Sequence, residues 1–159
     1  MSDIVNKATR SRIMASIRSK DTKPEIIVKK GLHKIGLRRA ILPSKLPGKP
    51  DLVFPKYKFA IFVNGCFWHG HACHNFKWPK SNAVFWKVKI NQNKQRDIQV
   101  RSQIKKLGWK TLIVWECKLI TAIRRGNLTH YLHQIRDKIK LNSNQQIHLP
   151  HKAKARLQT

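Results

Sequence analysis

The sequence predicts a mixed α/β domain with a short central sheet between helices. Two apolar stretches, 51–54 and 58–63, have the length of short strands and are separated by a turn. A third apolar stretch at 110–115 predicts another strand, and apolar residues at helical spacing come before, between and after the strands. Strands in the middle of the chain with helices on either side are typical of a mixed α/β domain.

Two helices are predicted before the first strand. Apolar residues recur at helical spacing among lysines and arginines between Lys7 and Ser19, which predicts a short basic helix. Thr22, followed by a proline and by Glu25, is a capping-box signature, and the helix that starts there continues to about Gly36. Glu25 is therefore expected in the first turn of this second helix.

The strands and the later helices follow from similar signals. The turn LPGKP at 46–50 precedes Asp51, which opens the first strand. Apolar residues in mostly helical spacing predict a long helix from Asn82 to Lys106, and a last helix is expected from about Leu128 to Ile139.

Charge is the most unusual feature of the composition. The 159 residues, 41% of them hydrophobic, suffice for one domain, which we expect over residues 1–141 including a basic N-terminal helical arm, with a polar basic tail at 142–159. Lys and Arg number 34 against seven Asp and Glu, and the net charge of +27 indicates a polyanionic partner, foremost nucleic acid. An anionic membrane is the rival partner, but the sequence has no apolar run that could span one and no signal peptide, so we expect a cytoplasmic protein without membrane contact.

The cysteines predict a metal site. Three cysteines cannot all pair within one chain, and together with His71 they complete the shell of three thiolates and one imidazole that is typical of structural zinc. These cysteines are Cys66, Cys73 and Cys117. Spacing alone leaves the histidine open, because His69 or His74 could replace His71. The alternative interpretation is three buried free thiols beside a surface histidine.

Asp51 and His69 are candidates for hydrolytic chemistry. An aspartate before an apolar strand, followed by a second apolar strand, is how nucleases of the restriction-enzyme type present a magnesium ligand. Such enzymes normally carry an acid and a lysine on the second strand, whereas this chain has FVN at 62–64. An imidazole with an unperturbed pKa of ~6.5, such as that of His69, can accept a proton from water at neutral pH. The alternative interpretation is a turn carboxylate and an exposed histidine.

Four segments together resemble one known family. They are ATRSRIMASIRSKDTKPE (8–25), LPGKPDLVF (46–54), IFVNGCFWHGHAC (61–73) and LGWKTLIVWEC (107–117). In order and spacing, from about residue 7 to residue 149, the chain is similar to the very-short-patch repair (Vsr) DNA mismatch endonucleases. The resemblance implies an α/β, restriction-endonuclease-like fold, a PD-(D/E)xK variant without the second-strand acid and lysine. Its central mixed sheet would be flanked by helices and accompanied by a structural zinc site.

The resemblance also implies an activity and a set of site residues. The reaction would be magnesium-dependent hydrolysis that nicks DNA 5′ of the thymine in a T:G mismatch, formed where 5-methylcytosine has deaminated in a CC(A/T)GG context. Asp51 and the backbone carbonyl of Val63 would bind magnesium, His69 would be the general base, and Glu25 would hold water at the magnesium or orient His69. Two further polar residues would support the site, namely Asn93 and Asp97. The structural zinc ligands would be Cys66, His71, Cys73 and Cys117.

Aromatic residues in this family wedge into the base stack beside the mismatch, where unstacking costs least. The resemblance gives this role to Phe67, Trp68 and Trp86. Trp109 and Trp115, on or beside an apolar strand, are instead expected in the core.

Two residues depart from the family pattern, which commonly has threonine and histidine where this chain has Val63 and Asn64. Val63 still supplies a carbonyl, and Asn64 can hydrogen-bond the scissile phosphate or a water but carries no charge. A second hypothesis is therefore a zinc-stapled mismatch-binding or DNA-binding module of the same fold with lost or weakened cleavage.

A third hypothesis, an RNA-binding structural protein, accounts for the charge but gives the carboxylates and His69 no role. Beyond the site, the resemblance implies a monomer that acts on double-stranded DNA in the bacterial cytoplasm, associated with the nucleoid. Mismatch-repair proteins would be its functional partners.

Overall fold

The computed structural model describes residues 20–38 and 45–144 together with residues 6, 8, 9 and 12, and for 142–144 it describes the backbone only. The predicted basic helix at 7–19 and the tail beyond residue 144 therefore lie almost wholly outside the described residues. The helices are α1 (Lys23–Lys34), α2 (Ala83–Lys106), α3 (Glu116–Arg124) and α4 (Leu128–Asn144), and the strands are β1 (Leu52–Phe54), β2 (Phe59–Asn64) and β3 (Lys110–Trp115).

The three strands form one mixed sheet in the order β1-β2-β3. A 3-10 turn at Pro55–Tyr57 joins β1 to β2, and these two strands are antiparallel. Strand β3 lies parallel to β2, so Phe59 is paired with Lys110 at one end and Asn64 with Trp115 at the other. Since α2 makes the connection between the two parallel strands, the predicted mixed α/β class is confirmed.

Helices lie on both faces of the sheet. On one face, Phe59 and Ile61 of β2 belong to a buried cluster with Val28 of α1 and with Leu132 and Ile135 of α4. Because successive side chains of a strand alternate in direction, the neighbouring residues of β2 face the other way, where Phe62 and Val100 of α2 line one small cavity. Among the described residues no helix is both long enough and apolar enough to cross a membrane.

Three details differ from the sequence predictions. Helix α3 was not predicted, and the last helix continues to Asn144 rather than ending near Ile139. The capping box at the start of α1 does not form, because Thr22 makes no side-chain bond to a backbone amide. Its hydroxyl instead donates to Oε1 of Glu25 at 2.8 Å, and Oε2 of Glu25 accepts the backbone N–H of Asp21 at 2.9 Å.

Gly31 allows α1 to lie close against α4. A Cβ atom at Gly31 would lie 2.4 Å from Cδ1 of Leu132, whose side chain is buried. We expect Gly31→Ala to lower the free energy of unfolding by about 1–3 kcal/mol through overpacking, although alanine favours a helix over glycine by about 1 kcal/mol. Urea unfolding measures this change.

Leu132→Ala removes the side-chain atoms with which a Cβ at Gly31 would collide, so this variant is the matched background for the test. In that background Gly31→Ala should be neutral or stabilising by up to about 1 kcal/mol. An equal loss of stability in both backgrounds would contradict the proposed contact.

Candidate active site and metal centre

Asp51 lies immediately before β1, beside the end of β2. Its backbone N–H donates to the carbonyl of Ile61 at 3.0 Å, which extends the antiparallel ladder by one residue. This register brings Oδ2 of Asp51 to the backbone N–H of Val63, from which it accepts a hydrogen bond of 2.7 Å. The residues predicted as magnesium ligands, Asp51 and Val63, are therefore held together by the sheet itself.

The charge state of Asp51 is set by competing effects. The pKa of its carboxyl group is raised from an ordinary value of 3.8 to about 6, chiefly by burial and also by the negative charge of Glu25. The Val63 N–H, Lys29 and His69 act in the opposite direction and lower this pKa. A bound cation would favour the carboxylate form, so the site suits a positively charged ligand.

Glu25 is buried, with 4% of its surface exposed, in the first turn of α1. Its carboxylate accepts hydrogen bonds from Asp21 and Thr22, and Oε2 lies 3.4 Å from Nζ of Lys29. Its electrostatic effect on Asp51 places it in the same site. These bonds hold the Glu25 carboxylate at the start of its own helix. The carboxylate that is hydrogen-bonded to His69 belongs to Asp97.

Lys29 is a site residue that the sequence analysis missed. Its Nζ lies 2.8 Å from Oδ1 of Asp21, close to Glu25, and its charge acts on Asp51. The i to i+4 spacing of Glu25 and Lys29 on a predicted helix was the signal that could have identified this ion pair. The cation partly neutralises a pair of neighbouring carboxylates.

His69 is paired with Asp97. Nδ1 of His69 lies 2.5 Å from Oδ2 of Asp97, and both side chains are largely buried. One turn earlier on α2, Nδ2 of Asn93 donates to the backbone carbonyl of Trp68 at 2.8 Å. Side chains of α2 therefore hold both the ring of His69 and the backbone next to it. The sequence analysis considered Glu25 for orienting His69, and Asp97 makes that contact in the structure.

Asn64 lies at the end of β2 with only 6% of its surface exposed. It lines a cavity of about 10 Å³ together with Phe62, Asp97 and Val100. A cavity of this size is near the minimum that holds one water molecule. Asn64 is therefore close to the carboxylate that binds His69, on the face of the sheet that α2 covers.

Four predicted metal ligands come together between the loop after β2 and the start of α3. One ligand atom from each of Cys66, His71, Cys73 and Cys117 lies within 4.8 Å of all the others. Nδ1 of His71 is 3.7 Å from Sγ of Cys66 and 3.5 Å from Sγ of Cys117. Tetrahedral zinc, about 2.3 Å from sulfur and about 2.0–2.1 Å from nitrogen, places its ligand atoms about 3.5–3.8 Å apart. The donor set and its spacing fit zinc.

His71 is the histidine of this cluster. Its backbone N–H donates to the carbonyl of Cys66 at 3.0 Å, and its ring stacks on Trp115 with centroids 4.0 Å apart and planes 9° from parallel. Burial, and the nearby charge of Lys118, lower the pKa of His71, which favours the neutral ring that binds metal. His74 is exposed, and His69 is paired with Asp97.

Burial raises the pKa of the Cys66 thiol to about 12. A buried thiol with this pKa keeps its proton near neutrality unless a metal ion compensates the charge of the thiolate. The Cys66 backbone N–H also donates to Oε2 of Glu116 at 3.4 Å, which links the loop to α3 a second time.

Gly70 separates His69 from His71 and has a left-handed backbone, with φ of +55°. A Cβ atom there would lie 2.5 Å from Cε of Lys94 and 2.7 Å from Cγ2 of Ile90. The glycine lets the chain turn tightly against α2, so that one histidine contacts Asp97 and the other joins the metal cluster.

The three aromatic residues predicted to wedge into DNA form one cluster. Phe67 contacts Trp68 and Trp86 with ring centroids 5.3 and 5.0 Å apart, and the two tryptophans lie 5.8 Å apart, all edge to face. These rings are partly exposed beside His69 and the metal cluster.

More exposed apolar side chains lie next to this cluster on the outer face of α2. Val84, Phe85 and Val88 are 78%, 59% and 53% exposed, and the Phe85 ring lies 5.2 Å from that of Trp86. The sequence analysis did not assign them to a surface. In the following we call these three residues the apolar ridge.

Trp109 and Trp115 were predicted in the core, and this prediction is wrong. Both are only half-buried. Trp115 stacks on His71, as described above, and Trp109 lies at a cavity at the other end of the sheet. An apolar run indicates a strand, but it does not reveal that Trp109, just before β3, and Trp115, its last residue, lie at opposite ends of the sheet.

Comparisons with known proteins give a matching family model and several relatives. A family model described as DNA mismatch endonuclease Vsr matches residues 2–75. The type II nicking enzyme V.NmeAIP of Neisseria meningitidis is 43% identical over 140 residues, 87% of this chain and 100% of the relative. The DNA mismatch endonuclease Vsr of Escherichia coli is 44% identical over 75% of this chain and 76% of its own length, and the type II nicking enzyme V.XorIIP of Xanthomonas oryzae is 41% identical over 75% and 88%. The chain belongs to the Vsr family of DNA mismatch endonucleases.

Proposed function

We propose that this protein is a magnesium-dependent endonuclease that nicks double-stranded DNA 5′ of the thymine in T:G mismatches left by deamination of 5-methylcytosine. The observation that carries the proposal is that two groups lie near each other at one end of the sheet. They are Asp51, which is hydrogen-bonded to the backbone of Val63, and the His69–Asp97 pair. Relatives named as mismatch endonuclease and as nicking enzymes support DNA cleavage on one strand. The mixed sheet is compatible with a restriction-endonuclease-like fold of the PD-(D/E)xK variant type.

His69 is the proposed general base. An ionised carboxylate only accepts hydrogen bonds, so Asp97 accepts the Nδ1–H bond of the neutral ring and leaves Nε2 free to remove a proton from the attacking water. This is the arrangement in which a carboxylate orients a catalytic histidine and stabilises its charged form. Asn93 holds the chain at Trp68, next to His69, and so acts on the position of the ring.

Asp51 and the carbonyl of Val63 are the proposed magnesium ligands. Oxygen donors suit this ion, and burial together with the nearby charge of Glu25 raises the pKa of Asp51, so that a bound cation would stabilise its carboxylate form. When bound, magnesium supplies electrostatic stabilisation of the phosphate and the leaving oxygen. Glu25 and Lys29 then set the charge around Asp51.

The aromatic cluster is the proposed wedge, and the metal cluster is its support. Phe67 and Trp68 directly follow Cys66, so a zinc ion that fixes this loop would also fix the rings. Because a mismatched pair is the easiest to unstack, a rigid wedge would be selective for it. The high net charge supports phosphate contacts along the duplex.

The remaining expectations are also proposals. We infer a single endonuclease domain over residues 1–141 with a tail at 142–159, a monomer in the bacterial cytoplasm near the nucleoid, and a functional link with mismatch-repair proteins. The family membership supports a DNA partner directly.

One observation favours a second function, mismatch binding without efficient cleavage. Asn64 is only 6% exposed and lines, together with Asp97, the small cavity under α2. A position that could otherwise help neutralise the scissile phosphate is thus occupied by an uncharged, enclosed side chain.

A labelled duplex with a T:G mismatch in the CT(A/T)GG context tests the proposed function. With magnesium, the wild-type protein should nick 5′ of the mismatched thymine and leave matched DNA intact. Asp51→Asn should abolish the nick but retain duplex binding, because the amide still accepts the Val63 bond and loses only the charge. Binding by the wild type without a nick, in several mismatch contexts and with several divalent ions, would select the second function.

The same variant should be more stable than the wild type when no magnesium is present. The pKa of Asp51 is raised on folding, so its ionisation destabilises the folded state progressively from about pH 4 to about pH 6 and fully above that. At about pH 8 we expect Asp51→Asn to gain about 1–3 kcal/mol in urea unfolding, an amount that allows for partial exposure. The gain should vanish near pH 4, and a gain that is constant with pH would contradict this account.

Removal of metal should destabilise the protein. We expect one zinc per chain, and Cys117→Ser should lower the free energy of unfolding by more than about 4 kcal/mol through loss of that ion. Elemental analysis and thermal unfolding measure the two quantities. His74→Ala is the matched control, since His74 lies close in sequence but is exposed, and it should keep both the zinc and the stability. Loss of zinc in His74→Ala, or its retention in Cys117→Ser, would contradict the ligand set.

A further inference from the structure

The apolar ridge lies on the part of α2 that carries one of the three clustered rings. Val84, Phe85 and Val88 are spaced i, i+1 and i+4, so they share one face of the helix within its first two turns. Single exposed apolar side chains are common in proteins. Several on one face, beside a cluster of partly exposed rings, are typical of a binding surface.

The ridge is continuous with the aromatic cluster. The Phe85 ring lies 5.2 Å from that of Trp86, and the two ring planes are 77° apart. Trp86 is itself a residue of α2, so insertion of its ring into the base stack would bring the ridge against the same DNA. A ring that lies between base pairs is parallel to them. Phe85 would then be nearly perpendicular to the bases and would lie along their edges.

Charge around the ridge favours a polyanion over a second copy of the chain. Lys87 and Lys89, on either side of Val88, are exposed, and the sequence has no Asp or Glu between Asp51 and Asp97. Two copies of a chain with a net charge of +27 repel each other, most strongly at low ionic strength. DNA attracts the lysines, and it is the substrate class of the family to which the chain belongs.

The size of a helix selects one groove of the duplex. An α-helix with its side chains is about 10–12 Å across, which fits the major groove of about 12 Å but not the minor groove of about 6 Å. The apolar group that base edges present in the major groove is the C5-methyl group of thymine. Contact between this methyl group and an apolar side chain removes hydrocarbon from water on both surfaces.

We propose that the apolar ridge reads a thymine methyl group in the major groove, in the base pair next to the mismatch. The inference rests on the proposed wedge, since Trp86 sets where the ridge meets the duplex. An A:T pair presents one methyl group in either orientation, and a G:C pair presents none unless its cytosine is methylated. The ridge would therefore favour A:T or T:A over G:C beside the mismatch, because hydrocarbon contact needs no defined hydrogen-bond direction.

Uracil in place of thymine tests this contact, because it removes the methyl group and leaves the base pairing unchanged. Fluorescence anisotropy of labelled T:G duplexes in the CT(A/T)GG context, with calcium in place of magnesium, measures the dissociation constant. The mismatched thymine is kept in every duplex. A:U in place of the adjacent A:T pair should weaken wild-type binding about three- to fivefold, the effect of one buried methyl group. Likewise, 5-methylcytosine in a G:C pair at this position should strengthen binding by a similar factor.

The protein variant that tests the ridge combines Val84→Thr with Val88→Thr. Threonine keeps the β-branched shape of valine but replaces a methyl group with a hydroxyl group, and both positions are exposed, so the fold should be retained. Phe85 is left unchanged because its ring contacts Trp86. The variant should bind the A:T and A:U duplexes equally, to within about 1.5-fold. Comparison with the wild type cancels any effect of the methyl group on the DNA alone.

Ile98→Thr is the matched control. Ile98 is also β-branched, is 54% exposed against 53% for Val88, and lies about 15 Å further along α2. This variant should keep the wild-type preference for A:T over A:U. Equal loss of the preference in Ile98→Thr would show a general effect of a more polar helix and would contradict the proposal.

Two further results would overturn the proposal. One is wild-type binding that is the same for the A:T and A:U duplexes. The other is an unchanged preference for A:T in the double variant together with weaker self-association in analytical ultracentrifugation, which would make the ridge a contact between copies of the chain.

These measurements do not depend on cleavage, so they separate the two proposals. Binding without a nick in magnesium, or equal binding of mismatched and matched duplexes, would count against the proposed function. A lost methyl effect with the preference for T:G retained would count against the ridge alone.

Discussion

Cys117, in the first turn of α3, meets Cys66, His71 and Cys73 within 4.8 Å, and the position of the whole loop after β2 depends on this contact. The loop has little regular structure of its own, yet it carries His69 and two of the three clustered rings. A tetrahedral ion would fix the distance of this loop from β3 and α3. Hydrogen bonds to Asp97 and Asn93 hold the loop against α2. Two independent attachments, one through thiolates and one through carboxylate and amide, define where the imidazole of His69 lies. A loop held at one point only would leave that ring free to turn.

The distribution of carboxylates gives the site its electrostatic character. In a chain with 34 cationic and seven acidic side chains, Glu25, Asp51 and Asp97 lie at one end of the sheet. Each has a defined partner: a lysine, a backbone amide or an imidazole. This local negative region inside a positive field can hold a divalent cation while the surrounding surface attracts phosphates.

Much of this arrangement was predictable from local sequence. Strands β1 to β3 were predicted to within a residue or two at their ends, because short apolar runs bounded by turns are read from neighbouring residues alone. Helix α3 was missed because no glycine or proline separates Trp115 from Glu116, so nothing in the sequence marks the change from strand to helix. The Glu25–Lys29 ion pair had a local i to i+4 signal that was overlooked. The positions of Trp109 and Trp115 could not be predicted, because they depend on contacts between segments far apart in the chain. The cysteine ligands of the metal cluster could be predicted even though they are far apart in the chain, because three cysteines leave few combinations.

The apolar ridge on α2 has a consequence for the behaviour of the free protein in solution. Val84, Phe85 and Val88 present bare hydrocarbon to water, and such surfaces attract one another between molecules. At low ionic strength the like charge of every copy, formally +27, keeps these ridges apart. Salt shortens the reach of that repulsion to about 8 Å at physiological strength and about 3 Å near 1 M, while it leaves the apolar attraction in place. The same salt that releases the protein from a polyanion therefore removes its protection against self-association, and its colloidal stability is greatest where its affinity for nucleic acid is also greatest.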